Sequence, residues 1–154
     1  MEKRTVLITT LLATVLLAGC SGTTPTLGLD NGQLMACPAK PNCVSSQADD
    51  TDQFVEPIVI TASREQARDQ IIATLGTMDR TIVTTRQDNY IRAESTSQIF
   101  RFVDDVEFYL TQSDDQQTVA HVRSASRLGY SDMGVNRKRV EAIRGKLAAS
   151  KSSQ

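Results

Sequence analysis

Side chains with useful chemistry are most concentrated between residues 123 and 139, where arginines, hydroxyl groups and glycines gather before a predicted helix. From Arg123 to Lys146 the chain has seven positive and two negative side chains. Free backbone N–H groups and the dipole at a helix N-terminus attract anions, and guanidinium groups bind them through paired hydrogen bonds. The sequence therefore predicts an anion-binding site. Its candidate ligand-binding residues are Arg123, Ser126, Arg127, Asn136 and Arg137.

A structural role for the same stretch is the alternative interpretation. Asp132 and Asn136 would cap turns, and the arginines would neutralise the carboxylates of Asp104, Asp105 and Glu107. The Gly-x-x-x-x-Gly-Lys-Ser/Thr spacing of a phosphate-binding loop is missing from the sequence, which argues against a nucleotide site.

Asp104, Asp105 and the only histidine, His121, form a second candidate constellation, that of a hydrolase. In a predicted strand over 100–112, alternation places Asp104 on the apolar face. The apolar residues of that face are Phe100, Phe102, Val106, Phe108 and Leu110. A carboxylate buried there needs a cation, so Asp104 is predicted either to pair with an arginine that fixes the sheet against the last helix, or to act in catalysis. His121 has no nucleophile elbow or metal-ligand spacing around it, which favours a surface or packed strand histidine.

The first 20 residues resemble a bacterial lipoprotein signal. Lys3 and Arg4 precede an apolar run shorter than the ~20 residues of a membrane helix, and Leu-Ala-Gly-Cys ends it at Cys20. Residues 1–19 are therefore predicted to be a cleaved signal peptide, and Cys20 to carry a diacylglycerol and an acylated amine. The protein would be lipid-anchored in the cell envelope, and Ser21 favours the outer membrane, facing the periplasm.

Three further segments follow the predicted signal. Residues 20–35 are small and polar and are predicted to be a flexible tether spanning roughly 20 Å. Residues 36–149 are predicted to be a single domain, and residues 150–154 a disordered tail. Without residues 1–19 the chain has 15 Lys plus Arg and 17 Asp plus Glu, a net charge of −2. A near-neutral exported domain is not expected to bind nucleic acid.

Cys37 and Cys43 lie in a compartment where disulfides persist, and the favoured prediction is that they pair with each other. Closing a seven-residue loop removes about 2.4 kcal/mol of denatured-state entropy. A redox or metal pair is the alternative, but the spacing differs from that of thioredoxin-like sites and zinc knuckles. No metal or other cofactor is predicted.

The hydrophobic pattern predicts an α+β fold, an antiparallel sheet of four to five strands with two helices on one face. A capping box of Ser63 and Gln66 begins the first helix, and Val140, Ile143 and Leu147 form one face of the second. The order is β-α-β-β-β-β-α, with strands predicted over 54–60, 81–86, 90–96, 100–112 and 118–126.

Three separated motifs resemble the bacterial family catalogued as domain of unknown function 1499. They are Cys-Pro with Pro-Asn-Cys-Val-Ser-Ser over 37–46, Val-Asp-Asp-Val-Glu-Phe over 103–108, and the basic stretch 123–141. The resemblance runs from about Leu34 to Leu147. It implies a small envelope-facing domain, often lipid-anchored, and it transfers no catalytic residues.

The predicted function is that of a non-enzymatic, lipid-anchored envelope protein. It would bind an anionic small molecule, a glycan or an envelope protein through the turn from Arg127 to Arg137. One alternative is a periplasmic hydrolase that uses Asp104 or Asp105 with His121. Another is a purely structural assembly factor.

Overall fold

A computed structural model of the protein describes residues 22–113 and 117–151. The predicted signal peptide, Cys20 and most of the predicted turn over 113–116 lie outside these residues. The elements, in chain order, are β1 Leu29–Asp30, β2 Gln33–Leu34, β3 Cys43–Ser45, β4 Ile58–Ile60, α1 Arg64–Gly76, β5 Thr81–Arg86, β6 Tyr90–Thr96, β7 Val103–Gln112, β8 Thr118–Ser126 and α2 Val135–Lys151. The last helix therefore includes residues 150 and 151, which were predicted to belong to a disordered tail.

The main sheet is antiparallel and six-stranded, in the order β3-β8-β7-β6-β5, with β4 also paired to β8. Both helices contribute to the hydrophobic core on one face of this sheet. The predicted α+β class is confirmed. The sheet has more strands than predicted because β3 is only three residues long and is stabilised by pairing with the distant β8, which no local pattern reveals.

Helix α1 begins at the predicted capping box. The Ser63 hydroxyl accepts a hydrogen bond from the Gln66 backbone N–H, and the Gln66 side chain accepts one from the Ser63 backbone. These two bonds satisfy groups that a helix start leaves free. The preceding strand is shorter than predicted, because Phe54 forms only an isolated bridge with Ser45 and the sheet pairing starts at Ile58.

Strand β7 starts three residues later than predicted. Arg101 adopts a left-handed backbone conformation, with φ of 58°, which ends the extended geometry on its N-terminal side. Phe100 and Phe102 are consequently 69% and 41% exposed instead of buried. From Asp104 onward the predicted parity holds, since Val106 and Phe108 lie in the core.

Residues 22–34, which we call the strap, differ from the predicted flexible tether. Asn31 and Gly32 both have positive φ and form the turn of the β1–β2 hairpin, which packs on β7 and β8. Leu34 is buried, and its backbone N–H donates to the Gln47 side chain at 2.8 Å. Farther back, the Thr24 hydroxyl accepts a hydrogen bond from Arg127. The strap is therefore part of the folded domain.

Cys37 and Cys43 form a disulfide. Cys43 lies in β3, so the covalent link joins a surface loop to one edge strand of the sheet. The loop is also held by Gln53, whose side-chain amide donates to the backbone carbonyls of Pro38 and Lys40.

Candidate functional site

Charged side chains cover the face of the sheet opposite the core. Residues opposite one another in an antiparallel pair share a face, so Arg92, Glu107 and Arg123 form one row across β6, β7 and β8. Glu94 and Asp105 lie in the next row. With Arg127, which follows β8, they form what we call the ion-pair network. Its members are Arg92, Glu94, Asp105, Glu107, Arg123 and Arg127, three cations and three anions.

Asp105 is the centre of this network. Its carboxylate accepts hydrogen bonds from Arg92 at 2.7 and 3.1 Å and from Arg127 at 2.8 and 2.9 Å, and Arg127 also contacts Glu94. Burial alone would raise the pKa of the Asp105 carboxyl, but the hydrogen bonds from Arg127 and Arg92 hold that pKa below its ordinary value. The Asp105 carboxylate therefore stays charged, and both of its oxygens accept hydrogen bonds from arginines of the domain.

Glu107 is fully buried in the neighbouring row. It accepts a hydrogen bond from Arg123 at 2.9 Å and another from the Tyr90 hydroxyl at 2.7 Å. Burial, together with the adjacent Glu107 carboxylate, raises the pKa of Tyr90, so the phenol remains a donor. Both oxygens of Glu107 have internal partners.

Asp104 points to the core face, as its parity predicts, and pairs with Arg139 of α2. Arg139 also donates to the side-chain oxygen of Asn136 at 2.6 Å. Asn136 is fully buried, and its amide donates to the carbonyl of Asn42 and the hydroxyl of Ser126. These bonds join α2, β7, β8 and the disulfide loop.

The predicted anion site is filled by the protein's own groups. The side chain of Asp132 accepts hydrogen bonds from the backbone N–H groups of Gly134 and Asn136 at 2.9 Å each. These N–H groups at the start of α2 therefore already have an acceptor. Burial raises the pKa of Asp132, but these hydrogen bonds outweigh it and the pKa lies below its ordinary value. Arg137 donates to the backbone carbonyls of Asp52 and Phe54. Of the five candidate residues, Arg123 and Arg127 belong to the ion-pair network, whereas Ser126, Asn136 and Arg137 bond to backbone and side chains within the domain.

A cleft of about 460 Å³ lies beside this helix start, between the disulfide loop and residues 50–53. Its charged lining residues are Lys40, Arg137, Asp50, Asp52 and Asp132, so negative charges outnumber positive ones. Hydrogen bonds from Arg137 and Gln53 brace its walls. The walls of the cleft are thus tied to the rest of the domain, and its lining carries charges of both signs.

The predicted hydrolase residues do not converge. Asp104 and Asp105 are neighbours in β7 and point to opposite faces of the sheet. His121 is opposite Tyr109, and the partner of Asp105 is Ala125, four residues farther along β8, so about 13 Å of strand separates them. The His121 ring instead stacks against Tyr109, with centroids 6.0 Å apart. The structure brings together no acid–base pair from these three residues.

His121 makes stability depend on pH. Burial lowers the pKa of its imidazole, and its Nδ1 is buried without a hydrogen-bond partner. Because the unfolded chain binds the proton more readily, stability is complete above about pH 6.5 and is lost as the pH falls below that value. We expect the denaturant midpoint to fall between pH 7.5 and pH 5 in the wild type and to fall less in His121→Phe, which keeps a ring against Tyr109. Equal pH dependence in the two proteins would contradict this assignment.

Within residues 22–113 and 117–151, no group of three or more His, Cys, Asp and Glu side chains is placed to hold a metal ion. In the same part of the chain, neither helix has the length and apolar character needed to cross a membrane.

A second surface feature lies at one end of the sheet. The loops that join β6 to β7 and β8 to α2 carry exposed apolar side chains, which we call the apolar tip. Its members are Ile99, Phe100, Phe102, Tyr130 and Met133. The sequence pattern did not indicate this surface, because it placed Phe100 and Phe102 on the buried face of a strand. Nor did it indicate Arg92 and Glu94 of the ion-pair network or Arg139, the partner of Asp104, because register across strands selects them.

The fold and site define a small α+β domain that contains a buried ion-pair network. The chain belongs to the family described as protein of unknown function (DUF1499), whose model matches residues 33–147. None of the curated proteins matches the chain in sequence. A solved structure to which the chain is similar is that of TTHA0849 from Thermus thermophilus, with 10% identity and a TM-score of 0.35, covering 70% of this chain and 98% of that one.

Proposed function

We propose that this protein is a non-enzymatic, lipid-anchored protein of the bacterial cell envelope that binds a protein partner. The observation that carries the proposal is the braced cleft beside the disulfide loop. Internal hydrogen bonds already hold these walls, so less conformational entropy should be lost on binding than at loops without such bonds. The lining offers Lys40 as a donor and Asp50 and Asp52 as acceptors, which suits a polar peptide segment better than a simple anion.

Two further observations support this function. The carboxylates that a hydrolase would use, those of Asp104 and Asp105, are each paired with arginine, and His121 is remote from Asp105. The arginines predicted to bind an anion are held by internal acceptors. The lipid anchor at Cys20 rests on the sequence, and it would concentrate the domain beside other envelope proteins.

The test uses the full chain with a photo-crosslinking amino acid at Ser131, in the cleft. We expect the protein in the membrane fraction, with a mass that includes the lipid on Cys20, and a discrete crosslinked protein adduct. Cys20→Ser should move the chain to the soluble fraction. Lys40→Glu, which changes an exposed side chain, should remove the adduct while leaving the thermal midpoint unchanged.

The matched control places the same crosslinker at Gln87, an exposed residue outside the cleft. It should yield no adduct. The partner proposal fails if the Ser131 adduct survives Lys40→Glu or if the Gln87 crosslinker gives the same product. An unmodified Cys20 would instead disprove the lipid anchor.

A further inference from the structure

We propose that the apolar tip lies in the interfacial region of the lipid bilayer and so fixes the orientation of the domain on the membrane. The inference rests on the proposed lipid anchor at Cys20 and adds a second contact between the domain and the membrane.

Exposure at the tip is high and local. Ile99 is 81% exposed, Met133 is 88% exposed, and Phe100 and Tyr130 are exposed to a similar degree. Of the nine large apolar side chains exposed in the described part of the chain, five belong to the tip. Contiguous exposed apolar groups mark interaction surfaces, whereas single ones are ordinary.

Hydrogen bonds place the two loops of the tip side by side. Ser126 is opposite Asp104 in the sheet, and the backbone N–H of Arg127 donates to the carbonyl of Val103 at 3.2 Å. The start of the loop that carries Tyr130 and Met133 therefore lies next to the end of the loop that carries Phe102. The tip is therefore built from two loops that leave the same end of the sheet and are joined at Arg127 and Val103.

Both loops hold a non-glycine residue in the left-handed backbone region, Arg101 with φ of 58° and Met133 with φ of 54°. Side chains other than glycine adopt this region at an energetic cost, and such positions cluster at functional surfaces. Arg101 lies between Phe100 and Phe102 in the sequence. The rings of the two phenylalanines stack, with their centroids 5.5 Å apart. The two exposed rings therefore contact each other.

The path of the strap identifies the occupant of this surface. At Gly22 the strap reaches the start of the β8–α2 loop, one of the two loops of the tip, where an added Cβ would lie 3.1 Å from the Cβ of Arg127 and 3.2 Å from the side chain of Leu128. Only Ser21 separates Gly22 from Cys20. Two residue steps span at most about 7 Å, so lipid chains on Cys20 would enter the bilayer beside the tip.

The chemistry of the tip also suits a lipid surface. Aromatic rings and aliphatic side chains enter the boundary between headgroups and acyl chains, and a tyrosine places its hydroxyl at that boundary. Arg101 is exposed between the two phenylalanines, and its long side chain can extend from the apolar surface to lipid phosphates. The proposed partner cleft is then held close to the membrane surface.

The test exploits the absence of tryptophan from the sequence. Full-length, lipidated Phe100→Trp is reconstituted into vesicles of phosphatidylethanolamine and phosphatidylglycerol, with and without brominated acyl chains. We expect its emission to shift to the blue and to be quenched severalfold by the brominated lipid. Val59→Trp is the matched control, because Val59 is 57% exposed and pairs at the opposite end of β8.

Each outcome has a definite meaning. Quenching of Phe100→Trp together with an unquenched Val59→Trp supports the inference. If mass spectrometry shows the lipid on Cys20 but Phe100→Trp is not quenched, the tip does not contact the bilayer, while the lipid anchor stands. If both tryptophans are quenched equally, the domain has no fixed orientation, and the inference is overturned. If the mass shows no lipid, the anchor fails, and the docking inference fails with it.

Discussion

Asp105→Asn is expected to lower the free energy of unfolding by about 3 kcal/mol, because it leaves the buried guanidinium groups of Arg92 and Arg127 without their shared carboxylate. Asparagine has nearly the same shape, so the loss reports charge and hydrogen bonding and not a cavity. Urea unfolding monitored by circular dichroism measures it.

The matched control is Asp69→Asn, the same substitution in an exposed ion pair with Arg68, which should change stability by less than about 0.5 kcal/mol. The pH dependence adds a second readout. Because the folded pKa of Asp105 is lowered, its contribution is present above about pH 4 and is lost as the pH falls through the folded pKa. Asp105→Asn should lack this contribution. If Asp105→Asn unfolds like Asp69→Asn, the network does not stabilise the fold.

Asn136→Ala is expected to cost about 2 to 3 kcal/mol. Its amide joins α2 to Ser124, Ser126 and the carbonyl of Asn42, and its removal leaves several buried polar groups without partners. If Asn136 served to bind a ligand instead, its replacement would reduce ligand binding and leave the stability of the ligand-free protein unchanged. Thermal and urea unfolding of the ligand-free protein therefore decide between the two roles.

Lys138→Ala provides the control in the same helix. Lys138 is exposed, and alanine favours helix formation slightly, so stability should change by less than about 0.5 kcal/mol. A similar loss in both variants would show that the helix tolerates no substitution there, and the effect of Asn136→Ala could not be assigned to its hydrogen bonds.

Much of the fold could be predicted from local pattern. The bounds of β5, β6 and β8 agree with those predicted from the sequence, because each strand is long and its side chains suit a strand. The capping box likewise fixed the start of α1, since its two bonds lie within one turn. Short strands stabilised by distant partners, such as β3, carry too little local signal. The β1–β2 hairpin did carry a local signal, the turn dipeptide Asn31-Gly32, although the two strands of the hairpin have only four residues in total.

The site was less predictable for a related reason. The basic stretch was visible, but the partners of its arginines come from β6 and β7, selected by register across the sheet. Asp104 illustrates the limit, because alternation placed it on the core face and implied a cation, yet nothing local distinguished Arg139 from the other arginines. The alternation of side chains between the two faces also failed to place Phe100. Alternation holds only in an extended backbone, and Arg101 adopts the left-handed conformation.

The strap has a consequence for the order of events during folding. Its hydrogen bond from Arg127 to Thr24 joins residues 103 positions apart. The chain is synthesised from its N-terminus, so the strap is made before β7 and β8, on which it packs. Contacts between distant segments also form late, because the closure of long loops costs entropy. The strap is therefore expected to be among the last parts of the domain to reach its native position.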